Sequence, residues 1–74
     1  HARANAVDIG GFTLADGSVL RVEQGWRGPA RQRAFLRAVR TGACEQFTTV
    51  LSPDYNRAHR DHFHFDLGGE DLCR

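Results

Sequence analysis

Residues 61–67 read DHFHFDL, and this stretch decides the fold because its side chains change in character at every step. In a β-strand, alternate side chains point to opposite faces of the sheet. One face of the predicted strand carries Phe63, Phe65 and Leu67. The other face carries His62, His64 and Asp66. We expect the first face to belong to a hydrophobic core and the second to a functional site.

The segments upstream of this strand predict further strands of a small α+β fold. Residues 4–9 alternate small or apolar with polar side chains ahead of two glycines and predict a first strand, whose end must bend or approach another chain segment closely. Residues 12–14 and 19–22 predict a hairpin with an Asp-Gly turn. Residues 48–51 predict a strand, and the turn-rich residues 52–56 predict a loop. Together these strands predict a small antiparallel sheet that carries the site.

One main helix is predicted over residues 29–40, packed on the opposite face of the sheet. Pro29 suits the first helical turn, and Gly42 is expected to end the helix, although residues 43–47 could add a short turn. The predicted apolar face consists of Phe35, Ala38 and Val39. The arginines at 31, 33, 37 and 40 are expected on the wetter side. We expect Trp26 to pack in the core rather than to bind a ligand.

Length and composition indicate one small domain over residues 1–74. A domain of this size hides only roughly 60% of its unfolded surface, so it usually needs a disulfide or a metal. The net charge is +1 and all ten basic residues are arginine, without the basic, aromatic-rich stripe of a nucleic-acid-binding protein. No window approaches the roughly 18 apolar residues of a membrane span. The sequence opens on His1, and its first residues already resemble a strand. We therefore expect this sequence to be a piece of a longer protein.

Cys44 and Cys73 lack the CxxC spacing of zinc ligands, and the simplest interpretation is one disulfide. It would close a loop of about thirty residues, contribute roughly 3–4 kcal/mol and indicate an oxidising compartment. Two buried free thiols are the alternative. Pairing of these cysteines would exclude an enzyme with a nucleophilic cysteine.

Three of the four histidines, His59, His62 and His64, fall within six residues, and His1 and Asp8 stand seven apart at the other end. A catalytic zinc takes three protein ligands and leaves a fourth position for water. His1, Asp8 and His64 predict such a site, with His62 or His59 beside the open position. The flanking residues Asp61 and Asp66 are expected to accept hydrogen bonds from imidazole N–H groups.

Two motifs carry a resemblance to a known family. Residues 1–8, HARANAVD, resemble the HxxGxAxD metal motif of the D-alanyl-D-alanine carboxypeptidases and murein endopeptidases, and residues 59–64 resemble their HxxHxH form. Nearly the whole chain is similar to the bacterial extensin-like protein C-terminal domain. The segments that carry this similarity are HARANAVDIGGF, GACEQFTTVLSPDYN and HRDHFHFDLG. Ala4 stands where the motif has Gly, and the segment that normally precedes His1 is absent from the sequence.

The resemblance implies a small zinc-binding fold with His1, Asp8 and His64 as metal ligands. It implies that His62 stands in the place of the general base and that His59 orients or polarises water or substrate. The expected activity is hydrolysis of D-amino-acid bonds in peptidoglycan stem peptides by a periplasmic or secreted zinc metallopeptidase of the D,D-carboxypeptidase or D,D-endopeptidase type. A nearby arginine could pair with the terminal carboxylate of the substrate. The nearest in sequence are Arg3, Arg57 and Arg60.

Two other functions remain open on the sequence alone. The first is a non-catalytic cell-wall-binding module in which zinc only stabilises the fold. The second applies if His1 is the true N-terminus, since its α-amine and imidazole could then chelate copper.

Overall fold

A computed structural model of the protein describes residues 6–68 and 70–74. Within these residues the chain forms six strands and two α-helices. In order, they are β1 (Ala6–Ile9), β2 (Gly11–Thr13), β3 (Val19–Arg21), α1 (Val22–Trp26), α2 (Ala30–Gln46), β4 (Thr49–Leu51), β5 (Phe63–Asp66) and β6 (Leu72–Cys73). A single 3-10 turn, Arg57–His59, lies between β4 and β5. The predicted α+β class is confirmed, and the first two positions of the predicted 4–9 strand lie outside the described residues.

The main sheet has the strand order β1-β5-β4-β6. Strand β5 pairs antiparallel with β1 and with β4, whereas β6 pairs parallel with β4. The sheet is therefore mixed rather than antiparallel as expected, because β6, which was not predicted, pairs parallel with β4. Two residues are too few to show the two-residue period by which a strand is recognised in sequence. Strands β2 and β3 form a separate hairpin, with Gly17 at φ +90° in its turn.

Helix α2 is longer than predicted, and its buried face matches the predicted one only in part. It begins after Pro29 but continues through Gly42 to Gln46, so the expected end at Gly42 is wrong. Gly42 does not take a positive φ, and the backbone N–H of Phe47 closes the helix on the carbonyl of Ala43. Val39 packs against the core as predicted, but Leu36 is fully buried whereas Phe35 is 40% exposed.

The core lies between α2, α1 and one face of the main sheet. It consists of Leu20, Val22, Trp26, Leu36, Ala43, Val50, Phe63 and Phe65. Trp26 is 1% exposed, as expected of a core residue, and its ring meets that of Phe63 edge-on at 5.7 Å. Helix α1, which the sequence analysis missed, packs closely on α2: a Cβ on Gly25 would stand 2.8 Å from Leu36 Cδ1.

The predicted alternation along β5 is correct at its centre and wrong at its end. Phe63 and Phe65 are buried in the core, as expected. Leu67, predicted on the same face, is 50% exposed because the strand ends at Asp66. Asp66 itself is only 2% exposed although it lies on the polar face.

The predicted disulfide is present between Cys44, in the last turns of α2, and Cys73, in β6. Their Cα atoms are 5.7 Å apart and 29 positions separate them in sequence. The bridge connects the end of the main helix to one edge strand of the main sheet. None of the helices among the described residues is long and apolar enough to cross a membrane.

Candidate functional site

Asp8 and His64 meet on the face of the main sheet that points away from α2. The antiparallel register of β1 and β5 places the two residues directly opposite each other. Asp8 Oδ1 lies 2.7 Å from His64 Nδ1, a distance at which the ring N–H donates to the carboxylate. Two residues 56 positions apart in sequence thus form one polar pair, with side chains 65% and 26% exposed.

A second carboxylate lies behind the His64 ring. Asp66 Oδ2 is 3.4 Å from His64 Nε2, and the backbone N–H of Gly68 donates to Asp66 Oδ1 at 2.7 Å. A carboxylate only accepts hydrogen bonds, and a neutral imidazole has one N–H to donate. The neutral ring can therefore satisfy either Asp8 or Asp66, but not both at once.

His62 and Asp61 form a second carboxylate-imidazole pair just before β5. Asp61 Oδ1 lies 2.7 Å from His62 Nδ1, so Asp61 accepts the imidazole N–H as the sequence suggested. This hydrogen bond is the main cause that lowers the pKa of the Asp61 carboxyl. With the proton on Nδ1, the Nε2 atom of His62 is left as an acceptor.

His59 completes the histidine cluster, and Tyr55 borders it. The ring centroid of His59 is 5.1 Å from that of His62 and 5.3 Å from that of Tyr55. His59 Nδ1 lies 2.9 Å from Asn56 Oδ1. Partial burial, followed by the charges of His62 and His64, holds the pKa of His59 below its ordinary value despite the opposing carboxylates nearby. These effects favour the neutral form of the His59 ring.

The donor set around Asp8 and His64 fits two of the three ligands expected of zinc. A carboxylate and an imidazole are ordinary zinc ligands, and two ligands of a tetrahedral zinc stand about 3.3 Å apart. Only a small side-chain movement from 2.7 Å is needed to admit an ion between them. A cation at Nδ1 would also leave the single N–H of His64 on Nε2, where it can be donated to Asp66.

The third predicted ligand, His1, lies outside the described residues, as does Arg3. Among residues 6–68 and 70–74, no three potential ligands are grouped closely enough to hold a metal by themselves. Of the other arginines considered for substrate binding, Arg60 lies 3.9 Å from Glu23 and Arg57 is exposed in the 3-10 turn.

A cluster around Asp54, in the loop after β4, was not expected from the sequence. The indole N–H of Trp26 donates to Asp54 Oδ1 at 2.9 Å. Arg37 and Arg40 each approach Asp54 Oδ2 at 3.6 Å, and Arg27 approaches Oδ1 at 3.9 Å. The indole hydrogen bond is the largest cause that lowers the pKa of the Asp54 carboxyl; burial opposes it, and the three guanidinium charges lower the pKa further. We refer to these five residues as the Asp54 cluster.

Arg37 and Arg40 of this cluster were predicted on the wetter side of α2, but they cover the Trp26 ring. The guanidinium of Arg37 stands 4.3 Å from the ring centroid and that of Arg40 stands 5.4 Å from it. Their spacing of three on the helix would have placed them on one face. Their partner could not be inferred, because Asp54 lies in a loop of unknown path.

A cavity of about 410 Å³ lies between the β2–β3 hairpin and the start of α2. Its apolar lining includes Leu14, Val19 and Phe35, and Arg31 lies at its polar side. None of the three histidines that the structure describes lines it.

The family model described as "Extensin-like protein C-terminus" matches residues 1–74, which is the whole chain. No curated protein and no solved structure was found to match it.

Proposed function

The chain belongs to the extensin-like protein C-terminus family, and we propose that it is a zinc-dependent peptidase-like domain that hydrolyses D-amino-acid peptide bonds in peptidoglycan. The observation that carries the proposal is the pairing of Asp8 with His64 across two strands, 2.7 Å apart, beside a histidine cluster. A hydrophobic core requires neither the pairing nor the cluster. The relation to the D-alanyl-D-alanine carboxypeptidases is part of the proposal and rests on the two sequence motifs.

In this proposal His1, Asp8 and His64 hold the zinc ion. Bound zinc lowers the pKa of a water ligand toward about 7 and polarises a carbonyl oxygen. Asp66 supports the site from the buried side, because it can accept the N–H of His64 and so fix the orientation of that ring. Burial at 2% exposure keeps Asp66 away from substrate, so its role is positioning.

His62 is the residue that we propose to move the proton. Asp61 accepts the Nδ1–H of His62 at 2.7 Å and thereby leaves Nε2 as the basic nitrogen. In the hydrolysis of a peptide bond, Nε2 takes a proton from the attacking water and returns it to the leaving amine. The cycle ends with His62 in its starting protonation state.

His59 contributes as a neutral ring at the edge of the site. Its lowered pKa favours the neutral ring, which can donate a hydrogen bond to water or substrate or accept one from it. Asn56 lies 2.9 Å from Nδ1 and restricts the rotation of the ring. We assign His59 to orienting water or substrate rather than to proton transfer.

The proposed setting is the periplasm or the extracellular space. The disulfide between Cys44 and Cys73 and the family both point to an oxidising compartment. Peptidoglycan stem peptides are exposed in that setting, which agrees with the proposed substrate.

The test is digestion of isolated peptidoglycan with zinc supplied, comparing wild type with His62→Ala. Arg31→Gln is the control, since Arg31 is an exposed residue of α2 that lines the cavity beside the β2–β3 hairpin. We expect wild type and the control to release stem-peptide fragments, and His62→Ala to retain zinc but release at least about a hundredfold fewer. Zinc binding without any release by wild type would instead favour the cell-wall-binding module.

A further inference from the structure

The loop that carries Asp54 also carries Tyr55, and the two side chains contact different parts of the molecule. Asp54 contacts Trp26 and two arginines of α2, as described above. Tyr55 meets His59 edge-on, with an interplanar angle of 80°. One peptide bond therefore links the Asp54 cluster to the histidine cluster.

Ser52, which is fully buried, holds the start of this loop in place. Ser52 donates both its backbone N–H, at 3.1 Å, and its hydroxyl, at 2.5 Å, to the carbonyl of Arg74. In turn, the backbone N–H of Tyr55 donates to the Ser52 carbonyl at 2.9 Å, and that of Asp54 to the Ser52 hydroxyl at 3.3 Å. These hydrogen bonds hold the start of the loop next to Arg74. The Asp54 side chain connects the loop to α2 through Arg37 and Arg40.

Tyr55, the next residue of the loop, lies at the edge of the candidate site. Tyr55 is 40% exposed, so core packing alone does not hold its ring in place. The ring contacts His59, and His59 contacts His62 at 5.1 Å, which makes a row of three rings at the edge of the site. The position of this row depends on where the loop sits over α2.

We propose that Asp54 is a positioning residue for the candidate site: by holding Trp26, Arg37 and Arg40 it sets the Tyr55 ring against His59. Calling the ring row part of a functional site rests on the proposed function. The structural coupling between Asp54 and Tyr55 does not. The three guanidinium groups make the tie specific for a carboxylate, because an amide of the same shape could accept from Trp26 but would leave these charges unpaired.

The chain is well suited to a test by NMR because it has one tryptophan and one tyrosine. The Trp26 indole N–H resonance reports on the Asp54 cluster, and nuclear Overhauser contacts between the Tyr55 and His59 rings report on the ring row. The variant is Asp54→Asn. The matched control is Asp16→Asn, which alters another carboxylate that accepts side-chain hydrogen bonds, from Ser18 in the hairpin turn.

We expect Asp54→Asn to shift the indole resonance and to weaken the Tyr55–His59 contacts at least about twofold. Contacts between Trp26 and Phe63 should persist and show that the core is intact, a pattern that a merely structural role of Asp54 would not give. Asp16→Asn should leave all three unchanged. Should Asp54→Asn fail to fold, Arg40→Gln removes one pairing of the same carboxylate and carries the test with the same expectations.

Unchanged Tyr55–His59 contacts in a folded variant whose indole resonance has shifted would overturn the proposal. Neither zinc nor peptidoglycan enters this experiment. If the rings move as expected but the wild type binds no zinc, the positioning role stands and the proposed function fails.

Discussion

Removal of the Cys44–Cys73 disulfide is expected to lower the free energy of unfolding by about 3.6 kcal/mol. The bridge closes a loop of 29 positions, and the chain-entropy model gives about 12 cal/mol/K for a loop of that size, which is about 3.6 kcal/mol at 25 °C. The native contacts around the bridge add to this effect. Strand β6 is only two residues long and forms the outermost strand beside β4.

Urea unfolding of wild type and the double variant Cys44→Ser/Cys73→Ser measures this loss. The fluorescence of Trp26, which is buried, provides the signal. With a slope of about 1 kcal/mol/M for a small chain, the midpoint should fall by about 3–4 M. If the variant is unfolded in water, both proteins can be compared in the same concentration of sucrose, which favours the folded state. A loss below about 1 kcal/mol would refute the reasoning, since the bridge would then constrain neither the unfolded chain nor β6.

Five other substitutions test the packing and charge of the fold by urea unfolding. Gly25→Ala should destabilise the protein by about 1–3 kcal/mol, because its Cβ would stand 2.8 Å from a methyl of the buried Leu36. Gly42→Ala, whose Cβ would have nothing within 4 Å, should stabilise α2 by about 0.5–1 kcal/mol. Equal effects of the two variants would contradict the described packing of α1 on α2. Leu36→Ala should cost about 2–5 kcal/mol and Phe35→Ala clearly less, since only Leu36 is fully buried; the reverse order would restore the helix face predicted from sequence. The lowered pKa of Asp54 means that its contribution to stability is present above the unfolded value of about 4 and is lost as pH falls through the folded value. Asp54→Asn should therefore flatten the fall in stability between pH 7 and pH 3, and an unchanged slope would show that the carboxylate gains nothing on folding.

The elements that could be predicted from sequence are those with a clear period or a definite turn signal. The alternation around Phe63 and Phe65 predicted β5 and its buried face correctly. The Asp-Gly pair predicted the hairpin, in which Gly17 takes the positive φ and Asp16 accepts from Ser18. The disulfide followed from the number of cysteines and the absence of a zinc-ligand spacing.

The parts that could not be predicted depend on contacts between distant segments. Gly42 is typical of a helix end, but α2 continues beyond it. Tertiary contacts stabilise this continuation, because Ala43 packs in the core and Cys44 is bridged to Cys73. The exposed end of β5 at Leu67 arises because the strand stops at Asp66. A local period cannot show where pairing with a neighbour ceases.

The candidate site divides in the same way. The sequence pointed to Asp8, His64, His62 and His59 as functional residues, and the strand register brings the first two into contact. Nothing in the sequence showed that Tyr55 would contact His59, or that three arginine side chains would lie near Asp54. Both residues lie in the loop after β4, whose path is set by the buried hydroxyl of Ser52 and by its bond to the Arg74 carbonyl.

The most direct test of the central claim is the zinc content of the purified chain, measured by elemental mass spectrometry for wild type, His64→Ala and His59→Ala. Our account predicts about one zinc per chain in wild type and in His59→Ala, and loss of that zinc in His64→Ala, because His64 forms a pair with Asp8 whereas His59 contacts Asn56. Absence of zinc from wild type, or an undiminished content in His64→Ala, would contradict it.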